Sequence, residues 1–143
     1  MRRAGRKLLL GLVVAGAACA AVMAVYASER IPDAPEPIVW DREACAHCHM
    51  HVGDPAFAAQ AIDSDGRVYN FDDPGCLLAW RGTRQLARIW FHHKNEDRWL
   101  PLDAAGFVTV NGSPMGSNLG AVDATVPGAL TAAAATETLR RAP

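Results

Sequence analysis

The chain has 143 residues, enough for one small domain with additional segments at its ends. Its 14 basic and 15 acidic side chains nearly balance, giving a formal net charge of −1 with histidine neutral. The sequence has no basic patch, so nucleic acid is excluded as a partner.

The N-terminal segment has the pattern of an export signal or a membrane anchor. Residues 1–7 carry four basic side chains, and residues 8–26 are uncharged and apolar. Residues 1–27 are therefore predicted to be a signal peptide or signal-anchor that tethers the chain to the membrane. Cleavage at Val25-Tyr26-Ala27 and lipidation of Cys19 are the alternatives to a retained anchor. The charge asymmetry predicts that the rest of the chain lies on the periplasmic side of the inner membrane.

Composition divides the remainder of the chain into three parts. Residues 28–37 contain three prolines, which predicts a semi-rigid, extended linker. A folded domain is predicted over residues 38–122. Residues 123–143 form an alanine-rich tail whose helical stretch offers only Leu130 and Leu139 as large apolar side chains. The tail is therefore predicted to be a loosely docked helix or disordered.

The first half of the domain predicts a hairpin followed by a helix. Residues 57–62 and 67–71 are short apolar or alternating runs joined by an Asp-Gly turn, which is typical of a β-hairpin. Asp73 is a natural N-cap, and Pro74 fits the first helical position. Gly82 fits the position just after the last turn, so the helix is predicted to lie between these residues.

The second half of the domain predicts further strands. Residues 86–93 alternate between apolar and polar side chains, and apolar residues recur at 99–100 and 107–110. The predicted fold class is α+β, with a small antiparallel sheet built from strand–strand–helix–strand units. One N-terminal apolar helix precedes this domain.

The most distinctive segment is Cys45-Ala46-His47-Cys48-His49-Met50-His51, which holds two thiols, one thioether and three imidazoles. Thiolate and thioether sulfurs are soft donors, which select Cu(I) over hard cations. If the second half of this segment is extended, Cys48 and Met50 lie on one face and Cys45 on the opposite face. Met115, from a glycine-flanked loop, could then complete a three-coordinate sulfur site for Cu(I).

Three alternatives remain for the same segment. Cys45-x-x-Cys48-His49 satisfies the pattern of covalent haem attachment, with Met115 as a distal ligand, so a small c-type cytochrome is the first. A disulfide or thiol–disulfide pair formed by Cys45 and Cys48 is the second. A structural Zn²⁺ site is the third, although it needs four ligands and no second pair with finger spacing exists.

Other chemistry-bearing residues have simpler interpretations. Cys76, on the capped helix, is expected to be a small buried hydrophobe. The sequence contains no nucleophile–histidine–acid order, no phosphate loop and no paired carboxylates in a metal spacing. We therefore do not expect an enzyme.

Three blocks in this chain follow one another in a recognisable order. They are Cys45-Ala-His-Cys48-His-Met50, the stretch from Phe57 to Leu77 with its Phe-Asp-Asp helix start, and Ser113-Pro-Met115-Gly. Together they cover residues 40–122 and resemble the NosL family of nitrous oxide reductase accessory proteins.

The resemblance implies an exported, membrane-associated Cu(I) metallochaperone whose copper-binding domain spans residues 38–122. It implies Cys48, Met50 and Met115 as the Cu(I) ligands, and the sequence adds Cys45 and His49 as further candidates. It also implies delivery of copper toward the copper-sulfide centre of nitrous oxide reductase or another copper enzyme. A membrane transporter complex is the implied partner.

Overall fold

The computed structural model describes residues 12–23 and 31–141, in two compact units that divide between Arg30 and Ile31. In the first unit, residues 12–23 form helix α1. No helix in the described part of the chain is both long enough and apolar enough to cross a membrane. The remainder of the predicted signal or anchor, residues 1–11 and 24–27, lies outside the described residues. Its cleavage or retention, and lipidation at Cys19, stay predictions.

The second unit combines six described strands with two α-helices. Its elements in chain order are a 3-10 turn (Pro55–Phe57), β1 (Ala59–Asp63), β2 (Val68–Phe71), α2 (Pro74–Arg81), β3 (Leu86–His92), β4 (Trp99–Pro101), β5 (Ala105–Thr109), β6 (Leu119–Asp123) and α3 (Ala132–Arg141). Strands β2, β1, β3 and β4 form one antiparallel sheet in that order, and β5 and β6 form a separate antiparallel pair. The predicted α+β class with a small antiparallel sheet is confirmed.

The predicted hairpin and helix are both present, because local interactions specify them. The Asp63 carboxylate accepts the backbone N–H of Asp65 and Arg67, which closes the turn between β1 and β2. Helix α2 begins after Asp73, whose carboxylate accepts the N–H of Gly75 at 2.7 Å. It ends at Gly82, which adopts a φ of 43° that residues with a Cβ rarely adopt.

The two sheets share one hydrophobic core. Phe91 of β3 and Phe107 of β5 are fully buried, and their rings meet edge to face with centroids 4.8 Å apart. Leu77 and Leu78 of α2 are buried against the same cluster. Because the core is shared, α2 and the β5–β6 pair are held in fixed positions relative to the four-stranded sheet.

The C-terminal segment is docked more tightly than the sequence suggested. Leu130 pairs with Phe107 through two backbone hydrogen bonds of 2.8 and 2.9 Å. Helix α3 packs against α2 and β5, and Ala135 is completely buried there. The physical reason is that Leu130 and Leu139 pack against the core, while small alanine side chains let the helix approach closely. Residues 123–141 therefore continue the compact unit that contains the predicted domain.

Candidate metal site

The Cys45–His51 segment forms a tight loop. The N–H of Cys45 donates to the carbonyl of Met50 at 2.7 Å, and the N–H of His49 donates to the carbonyl of Cys45 at 3.0 Å. His49 has a φ of 65°, in the left-handed region, where the chain reverses its direction. The expectation that Cys48 and Met50 share a face opposite Cys45 is wrong, because this turn replaces the extended backbone on which it depended.

The turn carries two of its sulfur atoms to the first residues of α2. The Sγ atoms of Cys45, Cys48 and Cys76 and a carboxylate oxygen of Asp72 all lie within 4.8 Å of one another. Cys45 and Cys76 are buried, whereas Cys48 is partly exposed. Asp72 follows β2 directly, and Cys76 is the third residue of α2. The hairpin and the capped helix therefore supply half of the cluster, and the loop supplies the other half.

Cys76 and Asp72 were not predicted as site residues. Cys76 is buried as expected, but its sulfur belongs to the cluster and does not act only as an apolar group. Their spacing carried a weak signal, because residues i and i+4 at a helix start can approach the same ligand. Asp72 and Cys76 thus form a second pair of possible ligands beside Cys45 and Cys48, although their spacing in the sequence is not that of a zinc finger.

The pKa of Cys45 is lowered, whereas the pKa values of the other three cluster residues are raised. A hydrogen bond from the Cys76 thiol lowers the pKa of Cys45; backbone N–H groups of Cys48, Asp72 and His47 act in the same direction, against the effect of burial. Burial is the main cause of the raised pKa of Cys48, whose thiol also donates to Asp72 at 3.4 Å. The hydrogen bond to Cys45 is the main cause of the raised pKa of Cys76. Burial raises the pKa of Asp72 to about 6.

This arrangement makes Cys45 the cluster thiol that loses its proton most readily, because its pKa is lowered while those of Cys48 and Cys76 are raised. Thiolates are the form in which cysteine binds metals, and Cys45 is stabilised as an anion by donors from three peptide groups and one thiol. All three cluster cysteines are free. Three sulfur atoms and one carboxylate at this separation could hold a metal ion.

A second feature beside the cluster is a cavity of about 330 Å³. Its lining includes His47, Cys48, Cys76, Met115 and Leu139. Two of the predicted ligands, Cys48 and Met115, therefore line the same cavity, and their role as ligands stays a prediction. Met50 is 59% exposed and is not part of this described lining. His49 is exposed and is not in the cluster of Cys45, Cys48, Asp72 and Cys76.

Asp73 fixes the position of the Met115 loop. Its fully buried carboxylate accepts hydrogen bonds from the Ser113 hydroxyl at 2.6 Å, from the Met115 N–H at 3.2 Å and from the Ser117 hydroxyl. The same carboxylate caps α2 through Gly75, where a Cβ would overlap the Ser117 side chain. One N-cap residue therefore connects the helix that carries Cys76 to the loop that carries Met115.

A second group of possible metal ligands already has hydrogen-bond and ion-pair partners within the chain. His93, Glu96 and Asp123 have ligand atoms within 4.8 Å of one another. The Arg98 guanidinium donates to Glu96 and to Asp123 at 2.5 Å and is the main cause of the lowered pKa of both carboxyls. The Nδ1 atom of His93 accepts the N–H of Asn95. We interpret this group as an ion-pair network, because Arg98 already supplies the positive charge.

Comparison of the chain with models of known protein families, with curated proteins and with solved structures found no match. The functional argument therefore rests on the residues of this chain, on their geometry and on the resemblance of the three sequence blocks described above.

Proposed function

We propose that the chain is an extracytoplasmic Cu(I) metallochaperone. The observation that supports this most strongly is the cluster of Cys45, Cys48, Cys76 and Asp72 within 4.8 Å, next to a cavity lined by Met115. Cu(I) is the soft ion for which thiolate and thioether sulfurs are suited. The resemblance to the NosL family suggests the same cargo.

The distribution of exposure suits an ion that is received and passed on. Cys45 is completely buried, Cys48 is partly exposed, and Met115 is 44% exposed. A buried anionic sulfur retains a cation, whereas partly exposed sulfur atoms can be reached by an incoming ligand. Cu(I) accepts a change of sulfur ligands without any change of redox state, so a partner can take it by ligand exchange.

The resemblance to the NosL family also supplies the rest of the proposal. The client would be nitrous oxide reductase or another copper enzyme that is assembled on the periplasmic side of the inner membrane. A membrane transporter complex would be the partner, and the N-terminal segment would provide the tether. Confinement to one membrane surface would raise the effective concentration of donor and client.

A structural Zn²⁺ site is the second candidate, and Asp72 favours it. Zn²⁺ prefers four ligands in a tetrahedral arrangement, and cysteine with aspartate is an accepted combination. The cluster offers three thiols and one carboxylate. The two ions differ in which atoms they need: Zn²⁺ would use Asp72, whereas Cu(I) is complete with sulfur alone.

Competition for metal tests the proposal directly. We expect the purified chain to bind one Cu(I) tightly enough to withstand an equimolar chromophoric Cu(I) chelator, and to bind Zn²⁺ more weakly. Loss of the copper to that chelator would refute the chaperone function.

A visible spectrum, recorded after expression with the haem-maturation machinery, should show no Soret band. A covalent Soret chromophore would favour the c-type cytochrome instead.

Met115→Leu is predicted to weaken Cu(I) binding at least tenfold while it preserves the fold. Leucine has a similar volume, so the free energy of unfolding should change by less than about 1.5 kcal/mol. The loss of affinity follows because even indirect partners of a metal ligand contribute roughly 10–100-fold. Met50→Leu is the matched comparison, with a smaller expected effect, because Met50 does not line the cavity. Equal affinities for Met115→Leu and the unaltered chain would remove Met115 from the site.

A further inference from the structure

A groove lies between the two helices of the second unit. It has a volume of about 430 Å³, and α2 and α3 form its walls. The lining residues that matter here are Leu78, Arg81, Ala133, Thr136, Leu139 and Arg140. The groove therefore combines an apolar surface with two guanidinium groups.

Arg81 is the unusual member of this lining. Its Nη1 atom is buried and has no hydrogen-bond partner among the described residues. A buried donor without an acceptor is unfavourable, and it is more unfavourable when the donor is charged. Native proteins leave few such groups, and each requires an explanation.

No acid on the two helices can serve Arg81. Helix α2 contains no acidic residue, and Glu137 is the only acid in α3. Glu137 is already bonded to Arg141 at 2.8 Å, and Arg140 approaches it only to 3.9 Å. The groove thus carries more positive charge than its own helices neutralise.

Two other arginines, Arg84 and Arg98, have partners within the chain that explain their positions. Arg84 lies over the Trp80 ring at 4.3 Å and donates to the Trp80 carbonyl. Arg98 forms ion pairs with Glu96 and Asp123. Within residues 12–23 and 31–141, Arg81 has neither kind of partner, although it lies at the end of the same helix as Trp80.

We propose that the groove between α2 and α3 binds an amphiphilic oxyanion, a carboxylate or phosphate group attached to a short apolar chain. The planar fork of a guanidinium matches two oxygens of a carboxylate or phosphate. Arg81 and Arg140 bind the charged group, and Ala133 and Leu139, which are both accessible, contact the apolar chain. The site contains none of the four cluster residues and does not depend on copper, although Leu139 also lines the cavity beside the cluster.

Titration calorimetry on the full chain tests this site with defined probes. Decyl phosphate and decanoate represent the two sources of oxyanion, and decanol and inorganic phosphate each lack one half of the ligand. We expect one of the two amphiphilic anions to bind at least tenfold more tightly than decanol and than inorganic phosphate. Decanol binding as tightly as both anions would overturn the role of the arginines. Inorganic phosphate binding as tightly as decyl phosphate and decanoate would overturn the role of the apolar wall.

Arg81→Met should weaken binding of the preferred anion at least tenfold, because methionine keeps an unbranched stem but removes the donors. Arg84→Met is the matched control and should bind as the unaltered chain does. Without ligand, Arg81→Met should unfold at the same or a higher denaturant concentration, because it removes an unsatisfied buried donor. A lower unfolding midpoint would indicate a structural role and contradict the proposal. Arg140→Met, at a side chain 72% exposed, provides a second variant whose folding is not at risk; unchanged binding in it would also contradict the proposal.

Discussion

Cys45→Ser is expected to weaken Cu(I) binding more than roughly a hundredfold, the largest effect of any single substitution in the cluster. The reason is that Cys45 is the buried sulfur whose pKa is lowered by the hydrogen bond from Cys76, so of the three thiols it loses its proton most readily. Cys48 and Cys76 have raised pKa values and must lose a proton when they bind. Serine keeps the size of the side chain but is a poor ligand for a soft cation.

The comparison among the three cluster thiols makes this test specific. Affinities of Cys45→Ser, Cys48→Ser and Cys76→Ser would be measured by chelator competition, with circular dichroism to confirm folding. Cys19→Ser is the matched control, because Cys19 is an exposed cysteine of the first unit. A smaller loss for Cys45→Ser than for Cys48→Ser would contradict this prediction. It would mean that Cys48 is the principal thiolate.

Asp73→Ala is expected to lower the free energy of unfolding by about 2–4 kcal/mol and to weaken Cu(I) binding as well. The stability loss combines removal of an N-cap with hydroxyl and N–H donors left without their buried acceptor. Ser113, Met115 and Ser117 all donate to this carboxylate, so its removal releases the loop that carries Met115. The loss of affinity should therefore approach that of Met115→Leu.

Urea denaturation measures the first effect, and chelator competition measures the second. Asp54→Ala is the matched control, because Asp54 also caps a helical turn, the 3-10 turn, but is exposed and accepts only the Ala56 N–H. Its expected cost is about 0.5 kcal/mol, with no change in Cu(I) affinity. Equal losses of stability for the two variants would show that Asp73 does not hold the loop. An unchanged Cu(I) affinity in Asp73→Ala would show that the position of the Met115 loop does not affect metal binding.

The features that the sequence predicted correctly are those specified by neighbouring residues. The β1–β2 hairpin follows from its alternating residues and Asp-Gly turn, and α2 follows from Asp73, Pro74 and Gly82. Such signals act over a few residues, so they do not depend on contacts with distant parts of the chain. Cys48 and Met115 line one cavity, but their role as metal ligands stays a prediction that came from a resemblance to a family and a glycine-flanked loop.

Only the tertiary structure decided which groups meet. The left-handed His49 reverses the loop and carries Cys45 and Cys48 toward α2, and no periodicity in the sequence predicts that turn. Cys76 and Asp72 become potential ligands because the hairpin and α2 share a core with the loop. Helix α3 docks because Leu139 contacts the core and the small residues beside it permit close approach, a combination that overall hydrophobicity does not predict. The sequence by itself determined the elements and the chemical character of the site, whereas long-range packing decided its membership and geometry.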